Sequence, residues 1–159
     1  MDFGPLNNPD QLARFDRMLA ASAAVRVHVG ETRVAAAEQK GYWRAGRILS
    51  DLPDDDPAVV EEIFGPVLTV QAAGDLPAVV ELANGVPQAL AASVWGAAGT
   101  VLELAGQLAA GEVWVNCHLE QTPELPHGGR GQSGHGTDLS VLAVTEYQRP
   151  KTVTVRFDH

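Results

Sequence analysis

The chain opens with apolar residues at helical spacing. Asn8 followed by Pro9 is a typical helix start, because asparagine caps free backbone N–H groups and proline fits the first helical position. The pattern predicts one amphipathic helix that ends in the alanine-rich stretch near Ala24. The apolar face of this helix is formed by Leu12, Phe15, Met18 and Leu19.

The next part of the chain changes to strand-like alternation. Residues 25–29 alternate apolar residues with Arg26 and His28, and a second strand is predicted over residues 42–49. Between them, residues 31–41 show no period and predict an irregular crossover. Three aspartates at 54–56 precede Pro57, which indicates a solvated turn leading to a short helix that runs through Glu62, rather than a metal site.

From Pro66 onward, strands and helices alternate. Apolar runs predict strands at residues 67–72, 91–95 and 112–116, and Asp75 is placed to cap a helix that ends at Asn84. Another helix carries an apolar face, and strands separated by helices of this length indicate parallel crossovers. We therefore predict an α/β fold in which a mostly parallel sheet is covered on both faces in three layers. The second helical face comprises Val101, Leu104, Ala105 and Leu108.

The C-terminal part contains a long polar segment and one more strand. Residues 117–138 are rich in Pro, Gly, His and Ser, and a loop of this length is usually functional or poorly ordered. A short helix is predicted at 140–147, and Pro150 ends it before a β-branched run at 151–155. That run predicts an edge strand.

Size and charge narrow the class of protein. A chain of 159 residues suits one domain, with residues 150–159 as a C-terminal strand. The net charge of −9 repels phosphate backbones and anionic lipid, which argues against nucleic acid and membrane partners. No targeting segment or long apolar run is visible, so a cytoplasmic protein is expected. The single Cys117 excludes an intramolecular disulfide.

Several short motifs together resemble the aldehyde dehydrogenase superfamily. Among them, EEIFGPV followed at the right distance by WVN and a glycine-rich GG…SG.G loop is the specific combination. The match runs from Gly4 to Val155 and resembles the C-terminal part of the family's catalytic domain. The segments are GPL at 4–6, EEIFGPV at 61–67, LAASV at 90–94, GEVWVN at 111–116 with Cys117, PHGGRGQSGHG at 126–136, and Glu146-Tyr147 with Lys151-Thr152-Val153.

The resemblance implies specific roles for a few residues. Glu62 matches the glutamate that holds the nicotinamide ribose, and Phe64 matches the aromatic residue beside the nicotinamide. Asn116, Cys117 and His127 would line the aldehyde tunnel. The run 151–155 matches a segment that extends a sheet across the family's dimer interface, and an exposed edge of this kind is a template for pairing. The alternative for Glu62 is a solvated helix end, and for Phe64 a plug in the core.

The family's cofactor turn and nucleophilic cysteine match positions before Met1. Without a dinucleotide-binding domain no helix N-terminus takes the pyrophosphate, so no cofactor is expected for this chain alone, although the family uses NAD(P). Cys117 could substitute as a nucleophile only if a cationic neighbour such as His118 lowered its pKa. Because successive residues of an extended strand point to opposite faces, we favour packing or tunnel lining for Cys117.

The glycine-rich loop departs from the family pattern. His127 stands where phenylalanine is usual, Gly131 replaces the usual lysine, and Thr137-Asp138 replaces Arg-Glu. The polar residues could supply an acid/base pair or a metal site, since imidazole titrates near neutrality, or could form a solvated loop. No spacing matches a zinc motif. The candidates are His118, Glu120, Glu124, His127, His135 and Asp138, together with Cys117.

Three functions follow as hypotheses. The first is a non-catalytic homologue, a pseudoenzyme that forms a homodimer through 151–155 and through the face exposed by the missing domain, or that pairs with a separately encoded dehydrogenase half. The second is a repurposed, NAD-independent cyclase, isomerase or hydrolase that uses the old tunnel and the His-rich loop. The third is an NAD-dependent dehydrogenase rescued in trans.

Overall fold

The computed structural model describes residues 4–30 and 41–157, so most of the predicted crossover at 31–41 lies outside the described residues. The chain divides into two compact units, Met1–Val86 and Pro87–His159. The first contains α1 (Pro9–Ala21), β1 (Arg26–Val29), β2 (Arg47–Ser50), α2 (Pro57–Val60), β3 (Val67–Val70) and α3 (Leu76–Asn84). The second contains β4 (Gln88–Ala89), β5 (Ala91–Val94), α4 (Ala98–Gln107), β6 (Glu112–Val115), β7 (Arg130–Gly131) and α5 (Leu142–Glu146).

Helix α1 starts where the sequence predicts. The Asn8 side chain accepts a hydrogen bond from the Gln11 backbone N–H at 2.8 Å, and Pro9 occupies the first turn. The helix ends at Ala21, a turn earlier than predicted. Its apolar face buries Phe15 and Met18 against Leu49 of β2 and Ile63, which together form the core of the first unit.

The first unit holds a mixed sheet in the order β1-β2-β3. β1 pairs with β2 antiparallel, and β2 pairs with β3 parallel. An antiparallel edge strand on an otherwise parallel sheet is a common arrangement.

Asp56 is the buried polar residue of this unit. One carboxylate oxygen accepts from Ala58 N–H at 2.8 Å and caps α2. The other accepts from Ala23 N–H at 2.6 Å and from the Ser22 hydroxyl at 3.2 Å, just after the end of α1. The predicted turn and helix entry are confirmed, but Asp56 is buried rather than solvated, and α2 ends at Val60 and does not reach Glu62.

In the second unit, β5 and β6 pair in parallel, and α4 packs against both strands. Val101 and Leu104 of α4 and Trp114 of β6 are buried. Two short strands that the sequence did not predict, β4 and β7, pair antiparallel. The predicted α/β class is confirmed, with sheets that mix parallel and antiparallel pairs. Residues 151–155 form no strand within the described chain, so their pairing with another chain stays a prediction.

Candidate functional site

Side chains of helix α1 form hydrogen bonds with the backbone of the EEIFGPV segment. The Gln11 side-chain amide donates to the carbonyls of Ile63 at 2.8 Å and Phe64 at 2.5 Å. Arg14 donates to the Glu62 carbonyl at 2.7 Å and lies 3.6 Å from the Glu61 carboxylate. Because these hydrogen bonds are made to main-chain carbonyls, they fix the backbone path of the segment. They do not involve the side chains of Glu62 and Phe64.

The side chains of this segment divide between core and solvent. Ile63 is 6% exposed, whereas Phe64 is 72% exposed and has a left-handed backbone with φ of 56°. A Cβ on Gly65 would lie 2.6 Å from the ring of Phe15, so a glycine is required there. The alternative of Phe64 as a core plug is wrong, because its ring is exposed at this turn. Glu62 is exposed and lies beyond the end of α2, so the alternative of Glu62 as a helix end is also wrong.

An open groove of about 330 Å³ runs beside these residues, lined by Glu62, Phe64 and the start of β3. This volume is at the lower limit of pockets that hold small molecules. Glu62 and Phe64 are both exposed at this groove, and their contact with the nicotinamide end of a cofactor stays a prediction. The groove is small for a whole dinucleotide.

At the carboxyl ends of β5 and β6, Asn116 is engaged with the backbone. Its amide accepts from Gly96 N–H at 2.8 Å and donates to the Gly96 carbonyl at 3.0 Å. Asn116 itself has a φ of 55°, a left-handed conformation that asparagine tolerates. The amide thus ties the two strand ends together, and its part in a tunnel stays a prediction.

Cys117 and His118 follow directly. The thiol is free and half-buried, and the described residues show no hydrogen bond between it and the His118 ring. Instead, His118 Nδ1 lies 2.6 Å from the Ser93 hydroxyl, and the ring packs edge-on against Trp114 with centroids 5.3 Å apart. The Ser93–His118 pair joins β5 to the start of the loop. Ser93 belongs to the LAASV motif, and no role was predicted for it.

His127 belongs to a cluster of three side chains. Its Nδ1 lies 2.9 Å from Glu112 Oε2 and 2.9 Å from Gln121 Nε2, and Gln121 also donates to Glu112 Oε2 at 3.0 Å. Because the two partners are an acceptor and a donor, a proton on Nδ1 satisfies Glu112 while Gln121 donates to the carboxylate. Burial raises the pKa of Glu112, but the hydrogen bonds from Gln121 and His127 outweigh it, so the pKa lies below its ordinary value.

His127 is a predicted site residue, but neither of its partners was predicted. Glu112 looked like an ordinary residue of a strand, and Gln121 carries no charge. The signal that could have found Glu112 is its position on β6, since this strand pairs with β5 and is packed against α4. A polar residue half-buried there needs a partner.

The glycines explain the compactness of the loop around His127. A Cβ on Gly111 would lie 1.7 Å from the Gly128 carbonyl oxygen, and a Cβ on Gly128 would lie 2.5 Å from that of Gly136. His127 and Asp138 exchange backbone hydrogen bonds of 2.8 and 2.7 Å. The loop is therefore closed on itself and packed on the strand entry, rather than loosened by its glycines.

The remaining candidates do not converge on one site. His135 is exposed, the Asp138 carboxylate accepts from Leu139 N–H at 2.8 Å, and Glu120 contributes its backbone carbonyl to the Trp114 indole at 3.0 Å. Glu124 is exposed. Within residues 4–30 and 41–157, no three His, Cys, Asp or Glu side chains gather as a metal site requires. No helix among those residues is long and apolar enough to cross a membrane.

Known proteins similar to this chain share its motifs and its fold. The human 2-aminomuconic semialdehyde dehydrogenase is 35% identical over 143 residues, which are 88% of this chain and 29% of that protein. The rat retinaldehyde dehydrogenase 3 is 36% identical over 125 residues, 78% of this chain and 24% of that protein. The chain thus spans less than a third of the length of these relatives.

Solved structures agree. A crystal structure of an aldehyde dehydrogenase described as putative, from Burkholderia cenocepacia, superposes with a TM-score of 0.80 at 35% identity, over 91% of this chain and 31% of that one. An aldehyde dehydrogenase from Bacillus cereus superposes with a TM-score of 0.81 at 33% identity, over 92% and 30%. The model of the aldehyde dehydrogenase family matches residues 1–153. The chain therefore belongs to the aldehyde dehydrogenase family.

Proposed function

We propose that this chain is a non-catalytic module of the aldehyde dehydrogenase fold that associates with further polypeptide through its apolar surfaces. The observation that carries the proposal is that many large apolar side chains of the described residues are exposed, including Phe64, Leu102 and Val141 at 72%, 64% and 78%.

The exposed surface includes residue types that normally fill a core. Trp95 is 64% exposed and Tyr147 is 91% exposed, while Ile48 and Leu68 lie side by side on an open face of the first sheet. Surfaces of this kind usually mark interaction sites. The net charge of −9 repels nucleic acid and anionic lipid, so neither is expected to bind this apolar surface. We propose that the chain is cytoplasmic.

The preferred form of association is a homodimer through 151–155. Val153, Val155 and Phe157 are well exposed at alternate positions of this segment, so one side of it is apolar when it adopts a strand conformation. Pairing with a separately encoded dehydrogenase half is the variant form. Sedimentation equilibrium of the purified chain at micromolar concentration tests the first form, with twice the monomer mass expected, and mixing with the remaining part of a relative tests the second. The proposal would be contradicted by a chain that sediments as a monomer and does not bind the remaining part of a relative.

The cluster of Glu112, Gln121 and His127 supports a second candidate, a repurposed enzyme without NAD. A carboxylate that orients Nδ1 leaves the other ring nitrogen of His127 to act as an acid or base, which isomerases, cyclases and hydrolases use. Ser93 beside His118 adds a hydroxyl that can lose its proton to an imidazole. A fragment screen by ligand-observed NMR, repeated with His127→Ala and His135→Ala, tests this candidate. Unchanged ligand binding in both variants would remove its support.

The exposed Glu62 and Phe64 support the split-enzyme form of the proposal, in which dehydrogenase activity appears only in trans. Each offers a contact to the nicotinamide end of NAD, and the other walls of the site must come from the partner. The test mixes the chain, NAD and a panel of aldehydes with and without the remaining part of a relative. NADH absorbance should rise only in the complete mixture, and absorbance from the chain alone would overturn the non-catalytic assignment.

A further inference from the structure

We propose that a hollow at the carboxyl ends of β2 and β3 binds a small organic dication of the aliphatic diamine class. The hollow has a volume of about 450 Å³, and all the residues that line it belong to the first unit. Sites for small molecules usually have volumes of about 300–1,000 Å³. This inference goes beyond the proposed association and does not depend on it.

The position of the hollow follows from the direction of the strands. β2 and β3 run parallel, so their carboxyl ends meet at the same edge of the sheet. The chain leaves β2 toward the turn that contains Asp54 and leaves β3 through residues 71–74, and both segments line the hollow. In open α/β sheets, ligands bind in the crevice outside the carboxyl ends of the strands. The topology therefore marks this edge as a place for a ligand.

Helix α3 forms another wall and leaves the hollow unfilled. Ala78, Glu81 and Leu82 of this helix line it. All of α3 lies in the described part of the chain, and none of its residues is buried. The side chain of Asp75 caps the helix by accepting from Ala78 N–H at 2.9 Å, which fixes where the wall begins. The hollow is thus bounded by a capped helix and by the ends of two strands.

The side chains that line the hollow are mostly small and apolar, and the polar ones are concentrated in three residues. Ala72, Ala73 and Ala78 present only methyl groups. The polar lining side chains are those of Asp54, Gln71 and Glu81. Among the described residues that line the hollow there is no lysine, arginine or histidine, so its charged groups are all anionic.

The carboxylates of Asp54 and Glu81 have no cationic partner among the described residues. Gln71 Nε2 donates to Asp54 Oδ1 at 2.9 Å, which holds that carboxylate in place. The second oxygen of Asp54 and the amide oxygen of Gln71 are left to accept hydrogen bonds. In the ion pairs of the described part of the first unit, the arginines contact other carboxylates, which are those of Glu61, Asp51 and Asp16.

A ligand for this hollow must carry positive charge and N–H donors, because the lining offers carboxylate and amide oxygens. The two carboxylates come from separate elements, the turn before α2 and helix α3, and small apolar groups form much of the remaining wall. An aliphatic diamine has an ammonium group at each end and methylene groups between them. Such a dication can pair with both carboxylates while its chain lies against the alanines.

Isothermal titration calorimetry with pentane-1,5-diamine tests the site. The unmodified chain should bind the diamine saturably at a single site. Asp54→Asn and Glu81→Gln should each weaken binding about tenfold or more, because each removes one charge-assisted contact. Pentane-1,5-diol, which has the same carbon chain without the charges, should bind at least about tenfold more weakly.

Matched controls separate this site from the general attraction of an acidic chain for cations. Asp55→Asn and Glu103→Gln remove the same charge from exposed positions that do not line the hollow. At physiological salt, where distant charges are screened, each should change the affinity by less than about twofold. Equal weakening by all four charge variants, equal binding of the diol, or no saturable binding by the unmodified chain would overturn the proposal.

A steric variant gives a second measurement that leaves every charge in place. Ala78→Leu puts a larger side chain into the hollow and should weaken diamine binding about tenfold or more. Ala83→Leu, at an exposed position of α3 that does not line the hollow, should bind as the unmodified chain does. Both residue types favour helix, so α3 should be kept in both variants, as circular dichroism can verify. If Ala78→Leu binds the diamine with unchanged affinity, the hollow is not the site.

Discussion

The Nδ1 atom of His127 lies 2.9 Å from the carboxylate of Glu112, so the histidine that replaces the family's usual phenylalanine is held by a residue of β6. Both side chains are largely shielded from water, with exposures of 29% for His127 and 14% for Glu112. Gln121 completes the cluster. The contact fastens the long loop to the strand at one point, and it has a measurable dependence on pH.

Glu112→Gln should destabilise the chain at pH 7 by about 1 kcal/mol, the net value of such a hydrogen bond. Because the pKa of Glu112 is lower in the folded chain, the unfolded chain binds the proton more readily. The contribution is therefore complete above the ordinary value of 4.5 and is lost as pH falls through the lowered pKa. Urea unfolding of both proteins from pH 7 down to acidic pH measures this.

The matched control for that series is Glu120→Gln. Glu120 is exposed and contributes its backbone carbonyl, not its carboxylate, to Trp114. Its substitution should leave the free energy of unfolding unchanged within about 0.5 kcal/mol. If the two variants follow the same pH curve, the Glu112–His127 contact has no stabilising role.

Gly111→Ala should destabilise the second unit by about 3 kcal/mol or more, because the new Cβ would meet the Gly128 carbonyl oxygen at 1.7 Å and only a backbone shift relieves the clash. Gly106→Ala is the control. Gly106 lies in α4 with nothing within 4 Å of a new Cβ, so alanine there should stabilise by up to about 1 kcal/mol. Thermal unfolding should move in opposite directions for the two variants.

Asp56→Ala should cost about 2–3 kcal/mol, since it removes the cap of α2 and leaves the Ala23 N–H without its acceptor. Asp55→Ala, at the exposed neighbouring position, should have almost no effect. Urea denaturation at neutral pH distinguishes them. Equal midpoints would mean that the buried carboxylate does not stabilise the fold.

Phe64→Ala should leave the stability of the chain nearly unchanged, because the ring is 72% exposed, whereas Phe15→Ala should cost about 3–5 kcal/mol as a fully buried ring. Should Phe64→Ala prove as damaging as Phe15→Ala, the ring must be covered in solution. Circular dichroism during heating is sufficient to compare the two.

Local signals in the sequence predicted the elements with strong caps. Asn8 with Pro9 located α1, and Asp56 and Asp75 located α2 and α3, since each cap is a contact between near neighbours. The predicted start of β2 at residue 42 is five residues early. Arg44 forms an ion pair with Asp16 of α1 at 2.6 Å, so that stretch follows the helix rather than the sheet.

Contacts between residues that are far apart in the chain could not be predicted from the sequence. Glu112, Gln121 and His127 follow no period, and their meeting depends on how the loop returns to β6. The core-plug alternative for Phe64 failed for a related reason, since the exposure of its ring follows from a left-handed turn and from the bond that Gln11 makes to its carbonyl. The two-residue strands β4 and β7 are too short to leave a hydrophobic pattern.

The reciprocal hydrogen bonds between Asn116 and Gly96 affect how the sequence of the following loop, residues 117–138, can evolve. They fix the corner from which residues 117–138 depart, using two backbone groups that no later substitution in the loop alters. New side chains can therefore be tried along the loop while its point of departure stays in place. The histidine at position 127, where the family usually has phenylalanine, is a substitution that this fixed starting point permits.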